Sequence, residues 1–232
     1  MTVRLLGLSL DVADPAAAAA FWGGLLARPV ERDGDALRLP GDERQVGLRF
    51  VPAERTPALP HLVHLHVTSD HVGDQDAVIR RALDLGARLR DPAARVTGED
   101  HVVLVDPVSA ELCVIEPTNG YLAGCGPLGE LAGDGSRAVG LFWSAVLGWP
   151  LVWDQDDETV VQSPYGGTKV AWGGGPELPR SGRSPQRMDL VADDVDAEVA
   201  RLVGLGAAVV GRDGDLVELT DPDGTTFTLA AG

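Results

Sequence analysis

Two histidines separated by one residue are the residues of this sequence best suited to chemistry. Residues 62–67 are Leu-Val-His-Leu-His-Val and predict a strand. Successive side chains of a strand point to opposite faces, so His64 and His66 share one face. An imidazole titrates near neutral pH and acts as a general acid or base when a carboxylate lies nearby. The alternative is that both histidines only form hydrogen bonds in a polar groove.

The other potential metal ligands are few. All five histidines lie in the first half of the chain, and the only two cysteines are Cys113 and Cys125. Two cysteines exclude a disulfide-rich scaffold and a cysteine-rich zinc module.

Composition and charge exclude several classes of protein. Of the residues, 44% are hydrophobic and 23% are charged, which is typical of a globular chain and not of a disordered one. The formal charge of −16 argues against binding to nucleic acid or to an anionic membrane surface. There is no apolar run of about 18 residues and no secretory signal, so a cytoplasmic protein is expected.

Three short sequence words occur twice, in the same order, about 120 residues apart. Phe-Trp at 21–22 recurs at 142–143, and Leu-Gly-Ala at 85–87 recurs at 205–207. Asp-Pro at 106–107 recurs at 221–222. The repeat predicts two similar domains, 1–118 and 130–232, joined by a glycine-rich linker at 119–129.

Each half divides again into two units of the order β-α-β-β-β. Strand patterns surround four predicted helices, at 16–26, 74–85, 136–147 and 194–203. Asp14-Pro15 predicts the start of the first helix, because aspartate caps helices and proline suits the first helical position. The fold class predicted is α+β.

The order of elements and the repeated words resemble the vicinal oxygen chelate superfamily, which comprises glyoxalases, bleomycin-resistance proteins and extradiol dioxygenases. The Phe-Trp pairs, the Leu-Gly-Ala helix ends and the Asp-Pro turns carry this resemblance. It implies four βαβββ modules paired into two glyoxalase-like domains with open, curved, mixed sheets. The superfamily includes isomerases, dioxygenases and non-catalytic drug binders, so the resemblance specifies the fold and leaves the chemistry open.

The resemblance also implies where metal ligands would lie, on the first and last strands of each module. In the second module these positions hold His64 and Cys113, and in the fourth they hold Arg187 and Thr228. Most of the usual histidine and glutamate ligands are therefore absent, and no cofactor is expected. The resemblance also implies that each domain's sheets enclose an open cleft. A divalent metal held by His64, His66 and Cys113 in the cleft of the first domain is the alternative.

Polar residues expected in the clefts form two groups. Those assigned to the first cleft are Ser9, Asp11, His64, His66 and Cys113. Those assigned to the second cleft are Glu130, Arg187, Asp189 and Thr228. Trp172 is a candidate for stacking on a planar or cationic ligand, with core packing as the alternative.

Two functions follow from these residues. The first is a metal-independent enzyme of the lyase or isomerase type that uses His64 and His66. The second is a non-catalytic binder that sequesters a cationic or aromatic compound, as in the bleomycin-resistance branch. A small-molecule ligand or substrate is expected in either case. The chain is expected to be a monomer or a homodimer. The second domain is expected to hold a binding site or to serve as a structural support.

Overall fold

One β-α-β-β-β unit, here called a module, occurs four times in the computed structural model, which describes residues 3–54, 63–69, 75–91, 101–174 and 183–232. Module 1 comprises β1 (Val3–Val12), α1 (Pro15–Leu26), β2 (Glu31–Asp33), β3 (Ala36–Leu39) and β4 (Gly47–Pro52). Module 2 comprises β5 (Val63–Val67), α2 (Gln75–Asp84), β6 (Arg88–Leu89), β7 (His101–Val105) and β8 (Glu111–Ile115). Module 3 comprises β9 (Leu128–Gly135), α3 (Arg137–Leu147), β10 (Leu151–Gln155), β11 (Glu158–Gln162) and β12 (Lys169–Gly174). Module 4 comprises β13 (Gln186–Ala192), α4 (Val195–Gly204), β14 (Ala208–Asp213), β15 (Leu216–Thr220) and β16 (Thr226–Ala231).

The predicted α+β class and the four-fold order of elements are confirmed. α1 begins as predicted, because the Asp14 carboxylate accepts a hydrogen bond from the Ala17 backbone N–H at 2.9 Å and Pro15 occupies the first turn. Residues 62 and 74, where the prediction starts the second module's first strand and helix, lie outside the described residues.

The modules pair across the two halves of the chain. Sheet I has the strand order β14-β15-β16-β13-β1-β4-β3-β2 and joins modules 4 and 1. Sheet II has the order β10-β11-β12-β9-β5-β8-β7-β6 and joins modules 3 and 2. The two modules of a sheet meet through antiparallel first strands, β1 with β13 and β5 with β9.

This pairing corrects the grouping of cleft residues made from the sequence. Ser9 and Asp11 belong to sheet I, away from His64, and Glu130 belongs to sheet II, away from Arg187. The reason is that every module presents a similar first strand, so local patterning does not tell which module a given strand will join. The domain and linker boundaries remain a prediction made from the sequence repeat: 1–118, 119–129 and 130–232.

The helices bury aromatic residues against the sheets. Phe21 and Trp22 of α1 are at most 1% exposed, and Phe142 and Trp143 of α3 are at most 4% exposed, as expected for core residues. Burial of such a side chain contributes about 1.5–3 kcal/mol. Trp22 also donates its indole N–H to Asp106 Oδ2 at 3.0 Å, which connects α1 of module 1 to the turn before β8 of module 2.

Alternation along β5 separates the core from the functional face. Leu65 and Val67 are buried at 1% and 2% exposure in the hydrophobic core. His64 and His66 therefore point to the other face of sheet II. In the described segments, no helix combines the length and the apolar character that crossing a membrane would require.

Candidate active site in the cleft of sheet II

Three adjacent strands of sheet II bring the candidate residues together. His66 on β5 lies opposite Cys113 on β8 and opposite Glu130 on β9. His64, two residues earlier on β5, lies opposite Ala132. The two histidines and Cys113 are thus neighbours as predicted, and Glu130 joins them instead of joining Arg187.

A buried carboxylate holds His66. Glu130, 5% exposed, has its Oε2 2.8 Å from Nδ1 of His66. Its second oxygen, Oε1, accepts a hydrogen bond from the Tyr121 hydroxyl at 2.6 Å. Both oxygens of Glu130 are therefore engaged, and His66 is fixed in one orientation at the wall of the cleft.

Sequence reasoning missed Tyr121, which it assigned to the linker 119–129. Lys169 on β12 lies over the Tyr121 ring, with Nζ 3.7 Å from the ring centroid, and also donates to the Tyr121 carbonyl oxygen. Cys125, in the same segment, is buried at 2% exposure. The only available signal was an aromatic residue in a segment otherwise rich in glycine.

Hydrogen bonds among His64, His66, Cys113 and Glu130 shift the pKa values of the two histidines and of the cysteine. Burial would lower the pKa of His66, but hydrogen bonds to Cys113 and Glu130, together with the Glu130 charge, raise it to about 9. Burial would raise the pKa of the Cys113 thiol, but hydrogen bonds from His64 and His66 lower it to about 6. The pKa of His64 is raised, chiefly by its hydrogen bond to Cys113. Both shifts favour an imidazolium at His66 beside a thiolate at Cys113.

The two histidines lie at the wall of a cavity of about 600 Å³, here called cleft II, and Cys113 lies behind them outside its lining. His64, His66, Tyr121 and Glu130 line it together with Trp153 and Trp172. Trp172, predicted to stack on a ligand, lies parallel to Trp143 with ring centroids 6.3 Å apart and is 7% exposed. Trp153 is 40% exposed and offers more surface to a ligand.

A larger cavity of about 1010 Å³, here called cleft I, is lined by Arg187, Asp189 and Thr228 of sheet I, and Ser9 and Asp11 lie beside them. Asp189 accepts hydrogen bonds from Ser9 at Oδ2 and from Thr228 at Oδ1. Arg187 donates from Nη1 to Asp11 Oδ1 at 2.9 Å. These five residues thus form two hydrogen-bonded groups, Ser9–Asp189–Thr228 and Arg187–Asp11, away from the histidines.

The described residues of the two clefts do not present a set of donors arranged for a metal ion. Both oxygens of Glu130 accept hydrogen bonds in cleft II, and in cleft I the position equivalent to His64 holds the cation Arg187. Within the described ranges, no group of three or more histidine, cysteine, aspartate or glutamate side chains is arranged to hold a metal. The resemblance to metal-dependent relatives therefore does not extend to a metal site in these residues.

Comparisons with known proteins identify the family. A model of the glyoxalase-like domain matches residues 7–115 and again 131–230, and the chain belongs to this family as two such domains in tandem. A search of curated proteins found no match. Glyoxalase I from Zea mays has a similar structure, with a TM-score of 0.65 at 14% identity over 99% of this chain and 92% of that chain. A candidate dioxygenase from Bacillus subtilis gives a TM-score of 0.60 at 15% identity over 99% and 85%. Membership of this family supports a protein that handles small molecules.

Proposed function

We propose that the chain is a metal-independent enzyme that transfers a proton on a small molecule bound in cleft II, with His64 as the general base. The observation that carries the proposal is the connected set Tyr121, Glu130, His66 and His64 at the wall of this cavity, with Cys113 beside the two histidines. Such a set of coupled titratable groups in a cavity is the arrangement expected of acid–base catalysis.

The roles of the two histidines differ because their partners differ. His66 touches both Glu130 and Cys113, which keep it protonated, so it presents a fixed positive charge to the cavity. His64 has no carboxylate partner of this kind and exchanges its proton more readily. A positive charge placed where an oxyanion develops is among the strongest contributions to catalysis.

The step proposed is proton abstraction next to a carbonyl group. The C–H bond breaks, its proton passes to neutral His64, and the electron pair moves to the carbonyl oxygen as negative charge facing the His66 imidazolium. Return of a proton from His64 to the same carbon completes an exchange. Where that carbon carries a hydroxyl group, transfer of the hydroxyl proton to the oxyanion and return of the proton from His64 to the neighbouring carbon complete an isomerisation. No oxidant, reductant or metal is required.

This assignment fixes the pH dependence. His64 must be neutral, so the rate rises with pH through the pKa of His64, which is raised above its ordinary value. His66 must be protonated, and with a pKa of about 9 it loses its proton as the pH rises through that value. The expected profile is therefore bell-shaped, with its alkaline limb near pH 9.

The test is hydrogen–deuterium exchange of hydroxyacetone, dihydroxyacetone and pyruvate in D₂O with a chelator present, followed by proton NMR. For at least one compound, the protein is expected to give a higher exchange rate than an equal concentration of free imidazole. His64→Gln is expected to reduce the rate to that of imidazole. His101→Gln is the matched control, because His101 is exposed on β7 and does not line cleft II. An equal exchange rate for the wild type and His64→Gln on all three compounds would overturn the proposal.

A binder that sequesters a cationic or aromatic compound is the second candidate. The half-exposed Trp153 and the carboxylates of Asp134 and Glu158 in the lining of cleft II favour it. Titration with methylene blue, followed by tryptophan quenching, tests this function. Stoichiometric binding that Trp153→Ala weakens, with no exchange activity on any compound, would favour the binder over the enzyme.

A further inference from the structure

We propose that cleft I is a second, independent binding site, for an organic carboxylate with an apolar body. Cleft I shares no lining residue with cleft II, so this proposal does not depend on the function assigned to His64 and His66. Four observations support it: an unpartnered buried donor, carboxylates that are already engaged, a lining far less acidic than the whole chain, and an apolar part of that lining.

The unpartnered donor belongs to Arg187. This side chain lines cleft I and is only 1% exposed. Its Nη1 donates to Asp11 Oδ1 and to the Ser184 carbonyl oxygen, each at 2.9 Å. Its Nε is buried and has no hydrogen-bond acceptor among the residues that the structure describes. A buried donor of this kind is costly, and a ligand oxygen would satisfy it.

The carboxylates near Arg187 are already engaged. Asp189 accepts from Ser9 and Thr228 with its two oxygens. Asp11 accepts from Arg187 with one oxygen and from Arg183 with the other, at 3.3 Å. An incoming ligand must therefore bring its own acceptor oxygens, which a carboxylate does.

Five arginines line cleft I beside four acidic residues, Asp33, Asp42, Glu43 and Asp189, so its lining is far less acidic than the whole chain with its charge of −16. The arginines that line it are Arg4, Arg38, Arg49, Arg183 and Arg187. Arg38 and Arg49 form ion pairs with Glu31 and Asp33, and Arg183 and Arg187 both pair with Asp11. The groups left to meet a ligand are the exposed Arg4 and the Nε of Arg187. A guanidinium group matches a carboxylate with two parallel hydrogen bonds.

Part of the lining of cleft I is apolar. Trp149, Leu147, Pro164 and Tyr165 line it, and Tyr165 is 64% exposed. An inorganic oxyanion would leave this surface unused, whereas an aromatic or aliphatic body would cover it. The combination of arginine and apolar surface therefore favours an organic carboxylate over phosphate or sulfate.

The test is a titration of 2-naphthoate by isothermal calorimetry, with 2-naphthamide as the uncharged analogue of the same shape. Naphthoate is expected to bind at least tenfold more tightly than the amide. Arg187→Lys keeps the charge and removes the Nε donor, and it is expected to weaken naphthoate binding at least tenfold. Arg212→Gln, which removes an exposed arginine paired with Asp196 outside cleft I, is the matched control and should leave the affinity unchanged.

Two further variants keep the test decisive if Arg187→Lys fails to fold. Arg4→Gln changes an exposed residue of the cleft and is expected to weaken naphthoate binding, and Tyr165→Ala is expected to do the same by removing apolar surface. Equal affinity for naphthoate and naphthamide would overturn the proposal. So would competition by inorganic phosphate at the same concentration as naphthoate, or loss of naphthoate binding in His66→Gln, which would move the site to cleft II.

Discussion

Clefts I and II are built from the same modules and carry different chemistry. His64 lies on the first strand of module 2 where Arg187 lies on the first strand of module 4, and Cys113 corresponds in the same way to Thr228. Imidazole and thiol groups change charge between pH 6 and 9 in this protein, whereas a guanidinium group stays charged. Two differences at equivalent strand positions therefore distinguish the cleft proposed to move protons from the cleft proposed to bind a carboxylate.

The largest expected change in exchange rate comes from a variant that tests whether proton transfer takes place in cleft II alone. Glu130→Gln removes the carboxylate that holds His66 and stabilises its positive charge. The exchange rate is expected to fall about 100-fold, equivalent to roughly 2.7 kcal/mol in the barrier. The measurement is the same NMR exchange assay in D₂O.

Asp189→Asn in cleft I is the matched control for that variant. Asp189 accepts two hydrogen bonds from hydroxyl groups and lines the other cleft, so its loss should leave the exchange rate unchanged. A fall in rate for Asp189→Asn as large as that for Glu130→Gln would contradict the distinction between the clefts.

The next effect compares the two cysteines. Both are buried, at 7% and 2% exposure, but only Cys113 has hydrogen bonds from His64 and His66. A thiol with a pKa of about 6 is mostly thiolate at pH 7 and loses this form as the pH falls through 6. Iodoacetamide is expected to label Cys113 about tenfold faster than Cys125 at pH 7, as measured by peptide mass spectrometry.

The labelling profile of Cys113 also reports on the histidines. His66→Gln removes one of the hydrogen bonds that lower the thiol pKa, so the midpoint of the profile should move to higher pH. The ratio of the labelling rates of Cys113 and Cys125, measured in urea, gives the reference for the unfolded chain. Equal rates for Cys113 and Cys125 in the folded protein, or a midpoint unmoved by His66→Gln, would be evidence against the thiolate.

A smaller effect is expected at Tyr121. Tyr121→Phe removes the hydrogen bond of 2.6 Å to Glu130 but keeps the ring beneath Lys169. Glu130 retains its contact with His66, so the exchange rate should fall about fivefold to tenfold, less than in Glu130→Gln. A rate as low as that of Glu130→Gln would mean that Tyr121 itself takes part in the reaction.

The smallest effect is expected at the rim of cleft I. Arg38 and Glu31 form an ion pair at 2.9 Å in which both side chains are nearly half exposed. Arg38→Gln should therefore change the free energy of unfolding by less than about 1 kcal/mol in urea denaturation. A loss above about 2 kcal/mol would show that the rim of cleft I is coupled to the core.

Much of the fold could be predicted because its signals are local. The Asp14-Pro15 helix start, the Phe-Trp pairs and the alternation of Leu65 with His64 and His66 depend only on neighbouring residues. These signals gave the order of elements and the shared face of the histidines correctly.

The composition of each cleft could not be predicted, because it depends on contacts between distant modules. Glu130 was recognised as a cleft residue, but its partner His66 lies 64 residues away on a strand that could equally have joined β1. Tyr121 was missed because its role arises from one hydrogen bond made by an irregular segment. The choice of strand partner is settled by burial over the whole sheet, which no local pattern reports.

The cross-pairing of the modules sets the order in which the two clefts become complete during synthesis on the ribosome. Every described strand of sheet II lies between residues 63 and 174, so all of its strands are available before β13 has emerged. Sheet I must wait, because β1 pairs with β13, which is made some 180 residues later. Until then the edge of β1 is an unpaired strand edge, the kind of surface on which chaperones act and from which aggregation starts. A chain that ends before module 4 therefore contains all described strands of sheet II and only half of those of sheet I.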